Sequence, residues 1–145
     1  MGSEMCIRDS ANNVGTFVVD DASVSGAGSV NATGGIAVGV STNTQTISVA
    51  LAGTGSLTKA GAGELILSGE KTYTGNTVVN RGTLTTAGAN VLSDSTAVRI
   101  DSGATFKLGG NETVASVAGT STAATLSLQG NSLTVGGTGL SLIHI

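Results

Sequence analysis

Short apolar strands punctuated by glycine run along this chain, and their period is two. In residues 53–84, Leu57 precedes a Gly61-Ala62-Gly63 turn. Leu65 and Leu67 then share one parity against Glu64, Ile66 and Ser68, and Val78-Val79 leads into Gly82-Thr83-Leu84. Alternation over about four to six residues, bounded by Gly and Asn, marks half-buried strands, because side chains on a pleat point to opposite faces. The turns recur too quickly for helices. Before the central stretch come Phe17 and Val19, Val24, the set Ile36, Val38 and Val40, and the set Ile47, Val49 and Leu51. After it come Val98 and Ile100 around Arg99, Phe106 and Leu108 around Lys107, then Val114, Val117, Leu126, Leu128, Leu133 and Val135. Leu57, Leu65, Leu67, Val98, Ile100, Phe106, Leu108, Leu126, Leu128, Leu133 and Val135 are expected to point inward, with Glu64, Arg99, Lys107 and Ser127 facing water. In each clear case the charged or hydroxyl residue takes the parity opposite to the aliphatics.

One dry face and one wet face, repeated at short intervals, predict an all-β chain wound as a right-handed parallel β-helix. About five or six rungs of roughly 20 to 30 residues would fit its length. Gly26-Ala27-Gly28-Ser29-Val30 echoes Gly53-Thr54-Gly55-Ser56-Leu57, and Leu133-Thr134-Val135-Gly136-Gly137 resembles Ile36-Ala37-Val38-Gly39-Val40. If the second likeness marks a repeat, the native chain continues beyond Gly139 into another Gly-x-Gly-x-Leu-x-Lys. Asn76, Asn80, Asn90, Asn111 and Asn131 are candidate corner residues, since Asn tolerates the left-handed backbone that corners use. A buried Val, Leu or Ile contributes roughly 1.5 to 3 kcal/mol, and only when neighbouring coils cover it. Stability is therefore collective.

The residues of the central stretch resemble the autotransporter-associated β-strand repeat, also called the passenger-associated transport repeat. The matching elements are Gly53-x-Gly55-x-Leu57-x-Lys59, Gly61-x-Gly63-x-Leu65-x-Leu67-Ser68-Gly69, Thr72-Tyr73-Thr74-Gly75 and Arg81-Gly82-Thr83-Leu84. The resemblance implies a β-helical passenger segment, exported by bacteria through an outer-membrane β-barrel translocator that lies outside this stretch. It further implies a non-catalytic stalk at the cell surface or outside the cell, meeting host or cell-surface ligands. Within that family Tyr73 belongs to the repeat and is expected to pack on the coil. An enzyme on the same scaffold, a polysaccharide lyase or glycosidase, is the alternative; it needs acidic and basic groups converging on successive rungs, and the spacing assembles none.

The two ends read differently. Glu4-Met5-Cys6-Ile7-Arg8-Asp9-Ser10 can be encoded by GAG ATG TGT ATA AGA GAC AG, and the reverse complement of that word reads as Leu140-Ser141-Leu142-Ile143-His144-Ile145. The shared word resembles a transposon end used in sequencing libraries. Residues 1–10 and 140–145 are therefore expected to be adapter-derived, leaving 11–139 as an uncapped β-helix fragment with its repeat motif at 53–84. Uncapped coil ends are expected to associate.

That division removes the only cysteine, Cys6, the only histidine, His144, and both methionines, so a thiol nucleophile or Cys/His metal site loses its residues. Basic residues in the remainder are scattered and the net charge is −3, which argues against a nucleic-acid partner. Three aromatic residues are too few for the girdles of a membrane barrel. Asp20-Asp21 is expected to be a solvated corner, and Glu64, Glu70, Asp94, Asp101 and Glu112 keep no common spacing. The glycines of residues 53–63 lack the Gly-Lys-Ser/Thr ending of a phosphate cradle. Thr42, Thr44 and Thr46 form one hydroxyl row, too little for a threonine array. Asn31-Ala32-Thr33 and Asn111-Glu112-Thr113 match the glycosylation pattern by chance as readily as by purpose. No catalytic, cofactor-binding or metal-binding residue is expected.

Overall fold

The computed structural model describes residues 3–6 and 12–141, with side-chain burial over 13–136. Among these residues there are fifteen strands and no helix. One sheet takes, in spatial order, β1 (Ser3–Cys6), β3 (Ala22–Ser25), β5 (Thr44–Ile47), β8 (Glu64–Leu67), β10 (Thr83–Thr86), β12 (Thr105–Leu108) and β14 (Thr125–Ser127). The other takes β2 (Asn12–Asp20), β4 (Ser29–Gly39), β7 (Leu57–Ala60), β9 (Thr77–Val79), β11 (Ala97–Ile100), β13 (Glu112–Gly119) and β15 (Leu133–Ser141), with β6 (Ala50–Ala52) against the first residues of β4. Every pairing is parallel, and each strand pairs with its counterpart one coil away.

Register shows the size of a coil. Phe17 pairs with Ile36, Ile36 with Leu57, Leu57 with Thr77, Thr77 with Val98 and Val98 with Val117, so a coil takes about 20 residues. The chain is a parallel β-solenoid of about six turns. Its third side is held by backbone bonds between coils: Thr72 N–H donates to Leu51 C=O at 2.8 Å, Lys71 N–H to Val91 C=O at 2.7 Å and Glu112 N–H to Ser132 C=O at 2.9 Å.

Inward rows stack into columns. Val19 and Val38 lie in line with Lys59, Val79 and Ile100; Gln45 lies in line with Leu65, Leu84, Phe106 and Leu126; Ile47 lies in line with Leu67, Thr86 and Leu108. The aliphatic members of these columns are buried, as the alternation predicts. Leu128, Leu133 and Val135 are partly buried against the core. Arg99 is exposed, and Glu64, Lys107 and Ser127 are half-buried on the outer face. Val114 and Val117 both reach the core despite opposite parity, because β13 is irregular between them: Ala115 and Ser116 are half-buried in succession, where the pairing with β15 also shifts. An extra residue in one strand reverses the parity of the residues after it.

Corners explain the glycines. Gly61 has φ +81°, and a Cβ there would lie 2.1 Å from the Val40 carbonyl oxygen of the preceding coil. At Gly75 a Cβ would lie 2.3 Å from the Gly55 carbonyl oxygen. Backbone occupies the space a side chain would need. Of the five candidate corner asparagines only Asn90 has positive φ, at 50°, and Asp21 and Gln129 adopt the same region. The others act through side chains: Asn80 Nδ2 donates to Asp101 Oδ2 at 3.1 Å, Asn131 Nδ2 to Leu108 C=O at 3.1 Å, and Asn111 Oδ1 accepts Ser132 N–H at 2.9 Å. Asn76 instead takes the Ser56 hydroxyl oxygen on its N–H at 3.1 Å.

Three expectations need correction. Lys59, Lys71 and Glu112 share the inward parity and are buried, so charge does not always take the wet face. The echo of residues 26–30 in 53–57 is not positional: Val30 pairs with Leu51, whereas Leu57 pairs with Ile36. Nor does Leu133 match Ile36, since Leu133 pairs with Glu112, whereas the row of Ile36 runs through Leu57, Thr77 and Val98 to Val117. Of the ends expected to be adapter-derived, residues 1, 2, 7–10 and 142–145 lie outside the described residues. Ser3–Cys6 pairs with β3, whose edge presents backbone groups to any extended neighbour.

Candidate functional site: the polar interior of the central coils

Lys59 stands in a column between Val38 and Val79 and is fully buried. Its Nζ donates to the carbonyls of Ala60 at 2.8 Å, Gly61 at 2.8 Å and Arg81 at 3.0 Å. Three donors meet three acceptors, two on its own corner and one on the next coil. Burial pushes the ammonium down to about 8, and the carbonyls supply the hydrogen bonds that water would otherwise provide. Lys71 repeats the device at the following corner, donating to Ser68 C=O and, at 3.0 Å, to Gly69 C=O; burial pushes it down to about 8 as well.

Tyr73, fully buried as expected, begins a chain of hydroxyls. Its Oη lies 2.6 Å from Thr77 Oγ1, which lies 3.0 Å from Thr96 Oγ1, which donates to Gly75 C=O at 2.7 Å. Because the Thr96 proton is committed to a carbonyl, Thr77 must donate to Thr96 and Tyr73 to Thr77. The chain thus has one direction. Burial holds the phenol well above its usual range. Glu112 closes the set: its carboxylate accepts the Val91 N–H at 3.1 Å and the Leu92 N–H at 3.0 Å. Burial raises its pKa, and those N–H bonds oppose the rise.

Outside the coil, acidic residues serve local structure. Asp21 Oδ1 accepts the Ser41 N–H at 2.6 Å, and the Ser41 side chain first, then this N–H, lower its pKa. Glu64 Oε1 accepts the Thr85 hydroxyl at 2.6 Å. Asp101 bonds Arg99 Nε at 2.8 Å, and that hydrogen bond chiefly lowers its pKa. Glu70 and Asp94 do share a surface groove, with Asn90, Ser93, Thr72 and Thr113. The glycines of residues 53–63 cradle the chain's own backbone rather than a phosphate, since a Cβ at Gly55 would lie 2.8 Å from Gly35 N. The threonine row is longer than expected: Thr44, Glu64, Thr83, Thr105 and Thr125 align, beside Thr46, Ile66, Thr85, Lys107 and Ser127. Glu64, Ile66 and Lys107 break its regularity. At the first glycosylation pattern, Asn31 Nδ2 is spent on Asn13 Oδ1 at 2.8 Å. At the second, Asn111 Oδ1 holds the Ser132 N–H.

The buried cations and the hydroxyl chain were missed at the sequence level, although parity marked them: Lys59 is two residues from Leu57, Lys71 two from Tyr73, and Glu112 two from Val114.

Comparison with known proteins fits this stretch. Residues 57–85 match the family model Passenger-associated-transport-repeat. Over 104 residues the chain is 41% identical to the adhesin BmaC autotransporter of Brucella suis biovar 1 (strain 1330); the match covers 72% of this chain and 3% of that protein. No solved structure matches. Lys59, Lys71, Tyr73 and Thr77 therefore lie inside a passenger-associated transport repeat, set in a β-solenoid homologous over most of its length to part of an autotransporter adhesin.

Proposed function

We propose that the chain is a non-catalytic structural segment of a bacterial autotransporter passenger, a β-helical stalk at the cell surface or outside the cell. Folding of its coils outside the outer membrane would help draw the passenger through a barrel translocator carried elsewhere in the protein, and the stalk would present adhesive or effector regions to host or cell-surface ligands. The observation that carries this reading is the repeat itself: of its motif residues, Gly61 and Gly75 pack against the preceding coil, Lys59 bonds to the next, and Tyr73 is buried in the interior. The enzyme reading finds less support, because Asp21, Glu64, Asp101 and Glu112 are engaged in holding turns, strands and backbone.

The test is secretion of the parent passenger with its barrel, comparing the intact protein with one lacking a single coil at residues 57–76. Surface display is read by protease accessibility on whole cells. Reduced display with unchanged barrel insertion is expected; equal display would remove the translocation role. Turnover of a polysaccharide panel by the purified passenger, abolished by substitution at Glu70 or Asp94, would reinstate the enzyme reading.

A further inference from the structure

Sliding one coil past the next by two residues keeps every side chain on its own face, because the side-chain period is two. It also restores the backbone ladder, since parallel hydrogen bonds are evenly spaced. Where both members of a pair are apolar, as at Val19 with Val38 or Leu84 with Phe106, the slipped pairing exchanges one hydrocarbon for another and loses only fit. Apolar columns specify register weakly.

Directional groups behave otherwise. A two-residue slip moves a carbonyl by roughly 6.5 Å along its strand, far outside hydrogen-bond range. Lys59 Nζ reaches across a coil boundary to Arg81 C=O, the Thr77 hydroxyl across one to Thr96, and the Glu112 carboxylate across one to the N–H groups of Val91 and Leu92. Among the described residues, the buried polar and charged side chains all fall between Gln45 and Glu112. Coils on either side have apolar interiors.

We infer that Lys59, the Tyr73, Thr77 and Thr96 hydroxyl chain, and Glu112 form a register clamp that fixes how the central coils pair. The clamp is a property of the solenoid and holds whether or not the passenger reading does.

Disulfide trapping tests it in the full chain with Cys6→Ser. Thr58 and Val78 are in-register partners on the outer face of β7 and β9, so Thr58→Cys with Val78→Cys reports native pairing. Thr58→Cys with Asn80→Cys reports a two-residue slip, because the native diagonal is too long for a disulfide. Each reduced chain is refolded from urea, oxidised and mapped by mass spectrometry. With the interior intact, the native pair should exceed the slipped pair by more than about ten-fold, the discrimination of a single charge-assisted bond. With Lys59→Met and Thr77→Val that ratio should fall to about three-fold or less as both directional links are lost. Leu57→Ala, an apolar truncation in the same strand, should leave it intact. If the double variant does not refold, Lys59→Met alone is read by the same criterion. A ratio that survives loss of the directional groups, or one that collapses equally with Leu57→Ala, overturns the clamp.

Discussion

The direction of the hydroxyl chain makes the two ends of one hydrogen bond unequal. Tyr73→Phe removes a donor, yet Thr77 keeps its own acceptor in Thr96, so one bond is lost at a net cost of about 1 kcal/mol. Thr77→Val keeps the side-chain shape but strands the Tyr73 hydroxyl in a fully buried site and deprives Thr96 of its donor. Two lost bonds and one stranded donor together cost about 2 to 4 kcal/mol. In the Thr77→Val background the sign of the first change reverses: Tyr73→Phe now removes the stranded hydroxyl and should restore about 1 to 2 kcal/mol. The coupling is then about 2 to 3 kcal/mol, large for neighbouring residues. Urea unfolding of the four chains, followed by far-UV circular dichroism at neutral pH, measures it. If Tyr73→Phe costs the same on both backgrounds to within about 0.5 kcal/mol, the two hydroxyls are not bonded and the chain is refuted.

The same interior sets other expectations. Thr86 carries a buried hydroxyl with no hydrogen-bond partner among the described residues, so Thr86→Val should raise stability by about 1 kcal/mol, read as a higher urea midpoint at constant slope. Gly75→Ala should destabilise by about 1 to 3 kcal/mol or more, since its methyl would overlap the Gly55 carbonyl, and thermal unfolding will show whether the coil yields instead. Lys59 and Lys71 titrate near 8 when folded and near 10.5 when unfolded, so between those values the unfolded chain holds more protons and stability should rise with pH. Tyr73 reverses the trend above about pH 10, because the folded state keeps a proton that the unfolded state has lost. As the only tyrosine it reports directly: phenolate absorbance at about pH 11 should appear only with unfolding, and its appearance in the folded chain would refute the burial argument.

Alternation carried most of the fold. Leu65 and Leu67 against Glu64 and Ile66 show why: a period of two is local, and a strand reports its buried face within four residues. Lys59 shows where local reading stops. Its parity with Leu57 put it inside, yet the assumption that ammonium groups seek water put it outside. What decides the matter is the Arg81 carbonyl, 22 residues away and brought near only by stacking. The threonine columns were hidden similarly, because aligning Thr44 with Thr83 requires knowing that the intervening coil aligns Glu64 with both. Residues 26–30 illustrate the opposite failure, a likeness in composition that the register does not honour.

A coil of about 20 residues that bonds only to its neighbours also has a mechanical meaning. Drawn out, such a segment spans about 65 to 70 Å of chain; wound onto the stack, it adds about 4.8 Å of height. Each coil wound onto the stack therefore takes up more than ten times the length it adds to the rod. Pulled from one end, the same rod should shed its turns singly, as a force trace of evenly spaced steps of that length.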